Sequence, residues 1–177
     1  MRPTAILLAA VGICIASLPG SAQQHPGMPG MNMPGIAMED TYSNTPFRPG
    51  LGELMIAFVQ PRHTKLGLAG AAGNWDLAAY ELDELHDTFD GVGKLILKHG
   101  QLAIPQAIAA TVKQPLDALN GAIKAKDSAG FTKAYGDLTA GCNACHQSAG
   151  HPMIAIKVPD VSGTAYPDQD FNPRPQK

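Results

Sequence analysis

Cysteine is scarce in this chain: three residues in 177, too few for a disulfide scaffold. Charge is scarce as well, at 16% of residues, and 13 basic side chains nearly balance 15 acidic ones. Without a basic stripe, nucleic acid is not an expected partner. No apolar run reaches the roughly 18 residues of a permanent membrane span, so none is expected. No Ser/His/Asp triad, paired-carboxylate site or phosphate-cradling loop can be assembled, and an enzyme is not expected. The length suits one domain with a tail.

Residues 1–22 read as a secretory signal peptide. Arg2 supplies the positive start, Ala5 to Leu18 is apolar, and Pro19-Gly20-Ser21-Ala22 offers small residues at a cleavage site after Ala22. Cys14 lies inside the segment to be discarded, and Ile13 before it is too bulky for a lipoprotein site. The mature chain therefore keeps two cysteines, Cys142 and Cys145, and is expected to work outside the cytoplasm.

Residues 23–50 read as a flexible arm rich in Met, Pro and Gly. His25, Met28, Met31, Met33 and Met38 cluster there. Neutral thioethers with an imidazole suit Cu(I); a biased linker without any ligand is the plainer reading.

From Leu51 the pattern becomes helical, and residues 51–150 read as an all-α domain, an antiparallel up-down-up-down four-helix bundle. The first stripe is Leu51, Met55, Phe58, Val59, His63 and Leu66. Pro61 removes a hydrogen bond one turn back and predicts a kink near Ala57. Gly73 should end this helix and Asn74 cap the next. The second stripe runs Ala78, Leu82, Leu85, Phe89, Val92, Ile96 and His99, with Glu81, Asp83, Glu84 and Asp87 on the wet face. The third runs Ile108, Val112, Leu116, Leu119 and Ile123, interrupted by Pro115. The fourth, capped near Ser128, runs Phe131, Tyr135, Leu138, Cys142, Cys145 and Ala149. Residues 151–177 read as an irregular C-terminal tail over the bundle surface.

Cys142-Asn143-Ala144-Cys145-His146 is C-x-x-C-H, the attachment sequence of a c-type haem. Two thiols three residues apart on a helix can each add across a haem vinyl group, and the adjacent imidazole then lies under the iron. A thioredoxin-like disulfide lacks its strand–helix alternation here. A structural zinc site lacks its second cysteine pair. A plain disulfide stays open in an oxidising compartment.

A helical bundle with this motif near the end of its last helix resembles the cytochrome c-prime group, over roughly residues 51–150. The resemblance implies one covalent haem c, periplasmic residence, and either electron transfer to redox partner proteins or binding of a small gas ligand such as NO or CO. It also implies a homodimer. By position it makes Cys142 and Cys145 the attachment residues and His146 the axial iron ligand. The Met-rich arm and the tail after the motif depart from that group.

The sixth ligand decides between the two functions. Counting about 1.5 Å per residue, His146 lies about 5 Å and Met55 about 6 Å from the same end of the bundle. Met55 is thus the leading sixth ligand. His63, roughly 18 Å away on that scale, is the alternative if the kink shifts the register. A third possibility is an unligated distal pocket lined by Met55, Phe58 and Val59. His99 has the right level but sits on a helix expected diagonal to the fourth. His151 follows the motif too closely to reach around the ring.

Overall fold

The computed structural model describes residues 40–44, 46–160, 166 and 169–173. The signal segment 1–22 and the Met-rich stretch from His25 to Met38 lie outside the described residues. Within them the chain is mostly helical. α1 runs from Leu51–Leu54 through a π-helical turn, Met55–Val59, into Gln60–Ala71. α2 is Trp75–Leu95, α3 is Ile104–Ala125 and α4 is Ser128–Ser148. α1 packs on α2, α2 on α3, α3 on α4, and α1 also meets α4. Among the described residues no helix is long and apolar enough to cross a membrane.

Proline shapes two of these helices. Pro61 has no N–H to give the Ala57 carbonyl. The irregularity predicted there takes the form of the π turn, closed by Gln60 N–H donating to the Met55 carbonyl. Pro115, buried inside α3, likewise frees the Thr111 carbonyl. That carbonyl faces Gly141 of α4 so closely that a Cβ at Gly141 would collide with it. One proline and one glycine thus let α4 seat tightly on α3, one residue before the first motif cysteine.

Helix ends follow local chemistry. Gly73, at φ +68°, takes the left-handed conformation that closes α1. Asn74 caps α2 by accepting from Leu77 N–H at 3.2 Å. The cap of α4 is Asp127, one residue earlier than expected; its Oδ1 accepts from the N–H groups of Ala129 and Gly130 at 3.0 Å each. Gly150, at φ +78°, follows the end of α4.

The all-α expectation needs one correction: a small three-stranded antiparallel sheet is present. Its order is β1 (Asp40–Tyr42), β2 (Ile96–His99), β3 (Leu102–Ala103). β2 occupies what the periodicity assigned to the end of the second helix. Spacings of four and three from Val92 to Ile96 to His99 satisfy a helix, but strand pairing buries Ile96 and His99 equally well. β1, which falls in the stretch assigned to the arm, supplies that pairing, with Asp40 opposite His99 and Tyr42 opposite Ile96.

The core is built on Leu66, Leu85, Ile104, Leu119 and Leu138, each nearly solvent-free. Glu81, expected on the wet face, is 2% exposed. Arg62 reaches across from α1 and donates to it at 3.1 Å, and also pairs with Glu84 at 2.9 Å. A buried carboxylate is tolerated because it is paired.

Candidate functional site

Cys142, Cys145, His146 and Ala149 recur at spacings of three, one and three, which places them on one face of α4. That face forms a wall of a cavity of about 410 Å³, within the range of small-molecule and cofactor sites. α1 supplies the facing wall through Leu51, Gly52, Met55, Ile56, Val59 and His63. Phe89 of α2 and Ile104, Ile108 and Val112 of α3 complete the apolar lining. Ile154 and Ile156 of the tail and the imidazoles of His99 and His151 close the remaining side.

Both cysteines are free thiols. Burial, reinforced by the neighbouring Cys145, pushes the Cys142 thiol up to about 12. Burial raises Cys145 as well. A disulfide-exchange motif needs the opposite, a depressed thiol that is thiolate near neutral pH. Protonated thiols in an apolar wall suit S–H addition to an apolar partner inside the cavity.

His146 has a defined ring orientation. Its Nδ1 lies 2.9 Å from the Ile154 carbonyl oxygen. A carbonyl only accepts, so the proton of the neutral ring sits on Nδ1 and Nε2 keeps its lone pair. This is the arrangement of a metal-ligating histidine, whose second nitrogen donates to a carbonyl or carboxylate. Next to it, Asn143 Nδ2 donates to the Ile156 carbonyl at 2.9 Å, and Asn143 Oδ1 accepts from Ile156 N–H at 2.7 Å.

On the facing wall Met55 is partly buried and Val59 is buried, both lining the cavity. Phe58, expected beside them, is 51% exposed and is not part of the lining. The π turn explains it: extra residues in one turn rotate the stripe, so Phe58 leaves the face shared by Met55 and Val59. The span from Met55 to His63 is about 12 Å along the helix, enough to extend over a flat macrocycle.

His63 lines the cavity yet is 3% exposed. Its Nε2 lies 3.0 Å from Thr139 Oγ1 and its Nδ1 lies 3.0 Å from Tyr135 Oη. Tyr135 also donates to the His63 carbonyl at 2.6 Å, and Thr139 to the Tyr135 carbonyl at 2.9 Å. With a neutral ring three protons serve these four contacts. Burial nevertheless pushes His63 down to about 4, so the ring stays neutral. Gly67 makes room for this group, because a Cβ there would stand 2.6 Å from the Tyr135 ring.

Two residues set aside on sequence grounds reach the cavity. His99, carried by β2, and His151, just past α4, face each other with Nε2 atoms 3.2 Å apart. Strand pairing re-aims His99, and the turn after Gly150 brings His151 back. Asn143, Tyr135, Thr139 and Ile154 were also not singled out as site residues. Tyr135, a hydroxyl-bearing ring on an otherwise apolar stripe, was the one visible signal.

Among the described residues no cluster of three or more His, Cys, Asp or Glu stands ready to hold a metal ion by itself. On the α4 wall of this cavity, two thiols and the oriented imidazole of His146 fit an iron already held by a covalently attached porphyrin; His63, His99 and His151 add three further imidazoles to the lining. No family model, curated protein or solved structure matches the chain.

Proposed function

We propose that this chain is a monohaem c-type cytochrome that carries electrons in the bacterial periplasm. One haem c is bound through Cys142 and Cys145, and His146 is the axial iron ligand. A single observation carries the reading: both thiols and an imidazole with its Nδ1 proton already committed to Ile154 lie on one wall of an apolar cavity. The helices are read as an antiparallel up-down-up-down bundle of the cytochrome c-prime kind, supported by the contacts linking each helix to the next and α1 to α4.

A bound haem supplies a one-electron couple and an iron with axial positions. The residues of the chain do the rest. Cys142 and Cys145 would hold the ring through their sulfurs, and His146 presents Nε2. The apolar walls exclude water. Met55, on the facing wall, is the sixth-ligand assignment. His63 is the alternative, but it would have to give up Thr139 to offer Nε2.

The second reading, a binder of NO or CO, draws on the apolar surroundings of Met55. If Met55 does not ligate, Leu51, Val59 and Ile108 leave a dry pocket suited to a small neutral gas. Redox partner proteins fit the first reading and a gas ligand the second; the resemblance adds a homodimer.

Intact mass and a pyridine haemochrome spectrum of the exported protein test haem attachment, and Cys142→Ala with Cys145→Ala should abolish it. A mature protein without covalent haem refutes the proposal. A low-spin reduced spectrum unchanged by CO supports the electron carrier; a high-spin spectrum with rapid CO binding selects the gas binder. Mature protein beginning at Gln23 in the periplasmic fraction is the expected result for export.

A further inference from the structure

The first residues of the tail, 151–156, are fastened on both sides of one carbonyl. At the start, His151 N–H donates to the His146 carbonyl at 2.8 Å, and His151 faces His99 at 3.2 Å. Five residues on, the Asn143 carboxamide engages both the N–H and the carbonyl of Ile156, at 2.7 and 2.9 Å. A two-point grip on one residue fixes its rotation as well as its position. Between these anchors lies the Ile154 carbonyl, which accepts the His146 Nδ1 proton at 2.9 Å. Ile154 and Ile156 both line the cavity.

We propose that Asn143 is a positioning residue for the axial histidine. It clamps the tail as a strap on the His146 side, and the strap fixes the tautomer, orientation and basicity of the imidazole. The inference rests on the haem reading. An Nδ1–H bonded to a carbonyl makes Nε2 a stronger donor. A stronger donor favours the oxidised iron, and a tethered ring resists displacement. Ile154 N–H donates to the His151 carbonyl at 3.0 Å, which ties the segment to its start, and the Asn143 bonds to Ile156 hold it from the other side.

The test uses the mature haem-loaded protein with Asn143→Ala and, from the other side of the clamp, Ile156→Pro. The second variant removes the N–H from which Asn143 accepts, and the control Ile156→Ala, which keeps that N–H and only trims the cavity wall, separates loss of the bond from loss of lining. Haem content by mass and pyridine haemochrome is measured first. Absence of covalent haem in the wild type removes the haem reading itself, and this inference with it. With haem present, either variant should shift the redox equilibrium about tenfold toward the reduced form, about 59 mV for a one-electron couple. Exchange of the His146 Nδ1 proton, followed by NMR on the reduced protein, should be faster than in the wild type, because the proton loses a fixed acceptor and meets water. The double variant should show little more than Asn143→Ala alone, because Ile156→Pro breaks one of the two bonds that Asn143→Ala already removes. Haem-loaded variants with wild-type potential and wild-type proton exchange would overturn the inference and leave the haem reading standing. Should Asn143→Ala fail to mature, the Ile156→Pro protein gives the same readouts.

Discussion

His63 provides a sharp test of how burial and hydrogen bonding compete at the cavity wall. Its imidazole has an ordinary value of 6.5 in the unfolded chain and is pushed down to about 4 by burial in the fold. A base depressed in the folded state leaves the unfolded chain binding more protons between these two values. Stability from this residue is therefore complete above pH 6.5 and is lost as pH falls toward 4. At about 1.4 kcal/mol per pH unit the full loss is about 3 kcal/mol, of which about 2 kcal/mol has gone by pH 5. The perturbation is His63→Phe. It removes the titrating ring but orphans neither hydroxyl, since Tyr135 keeps the residue-63 carbonyl and Thr139 keeps the Tyr135 carbonyl. Urea unfolding of the haem-loaded proteins, repeated from pH 7.5 to 4.5, reads the difference. Wild type should lose about 2 kcal/mol more than His63→Phe between pH 7.5 and 5, with m unchanged. Parallel profiles would refute the reasoning. They would mean that the four hydrogen-bond contacts around the ring capture a fourth proton and hold His63 charged despite its burial.

Other perturbations have clear expectations. Gly141→Ala forces a methyl against the Thr111 carbonyl, a backbone atom that cannot rotate aside; a loss of about 1–3 kcal/mol in urea unfolding is expected. Glu81→Ala leaves Arg62 with Glu84 and the Tyr80 ring. Because Arg62 is 28% exposed, the cost should be about 2 kcal/mol, below the roughly 3–5 kcal/mol of breaking a fully buried pair, and thermal unfolding checks it. Phe58→Ser should change stability by less than about 0.5 kcal/mol and leave the visible spectrum unchanged, because the ring lies outside the cavity. The methionines from Met28 to Met38 are expected to bind Cu(I) modestly and without altering the haem spectrum; a chelator competition against a protein starting at Thr41 would disprove this if both took up copper equally.

What the sequence determined by itself was local and periodic. The stripes of α1, α3 and α4 were legible because a helix repeats every 3.6 residues and buries one face. The stop at Gly73, the cap at Asn74 and the irregularity near Ala57 were legible because each follows from one residue's backbone chemistry. That Cys142, Cys145 and His146 share one face of a helix was legible because spacings of three and one return to the same side of a 3.6-residue turn. Only the tertiary structure decided the rest. Ile96–His99 became a strand because β1, more than fifty residues earlier, supplied a partner; periodicity reports burial but not pairing. Glu81 became a core residue because Arg62 reaches it from another helix. Phe58 left the cavity because the π turn altered the phase of the stripe. His151 and Ile154 entered it because the tail folds back on Asn143. Each of these depends on which distant segment meets a residue, and no window of local sequence contains that information.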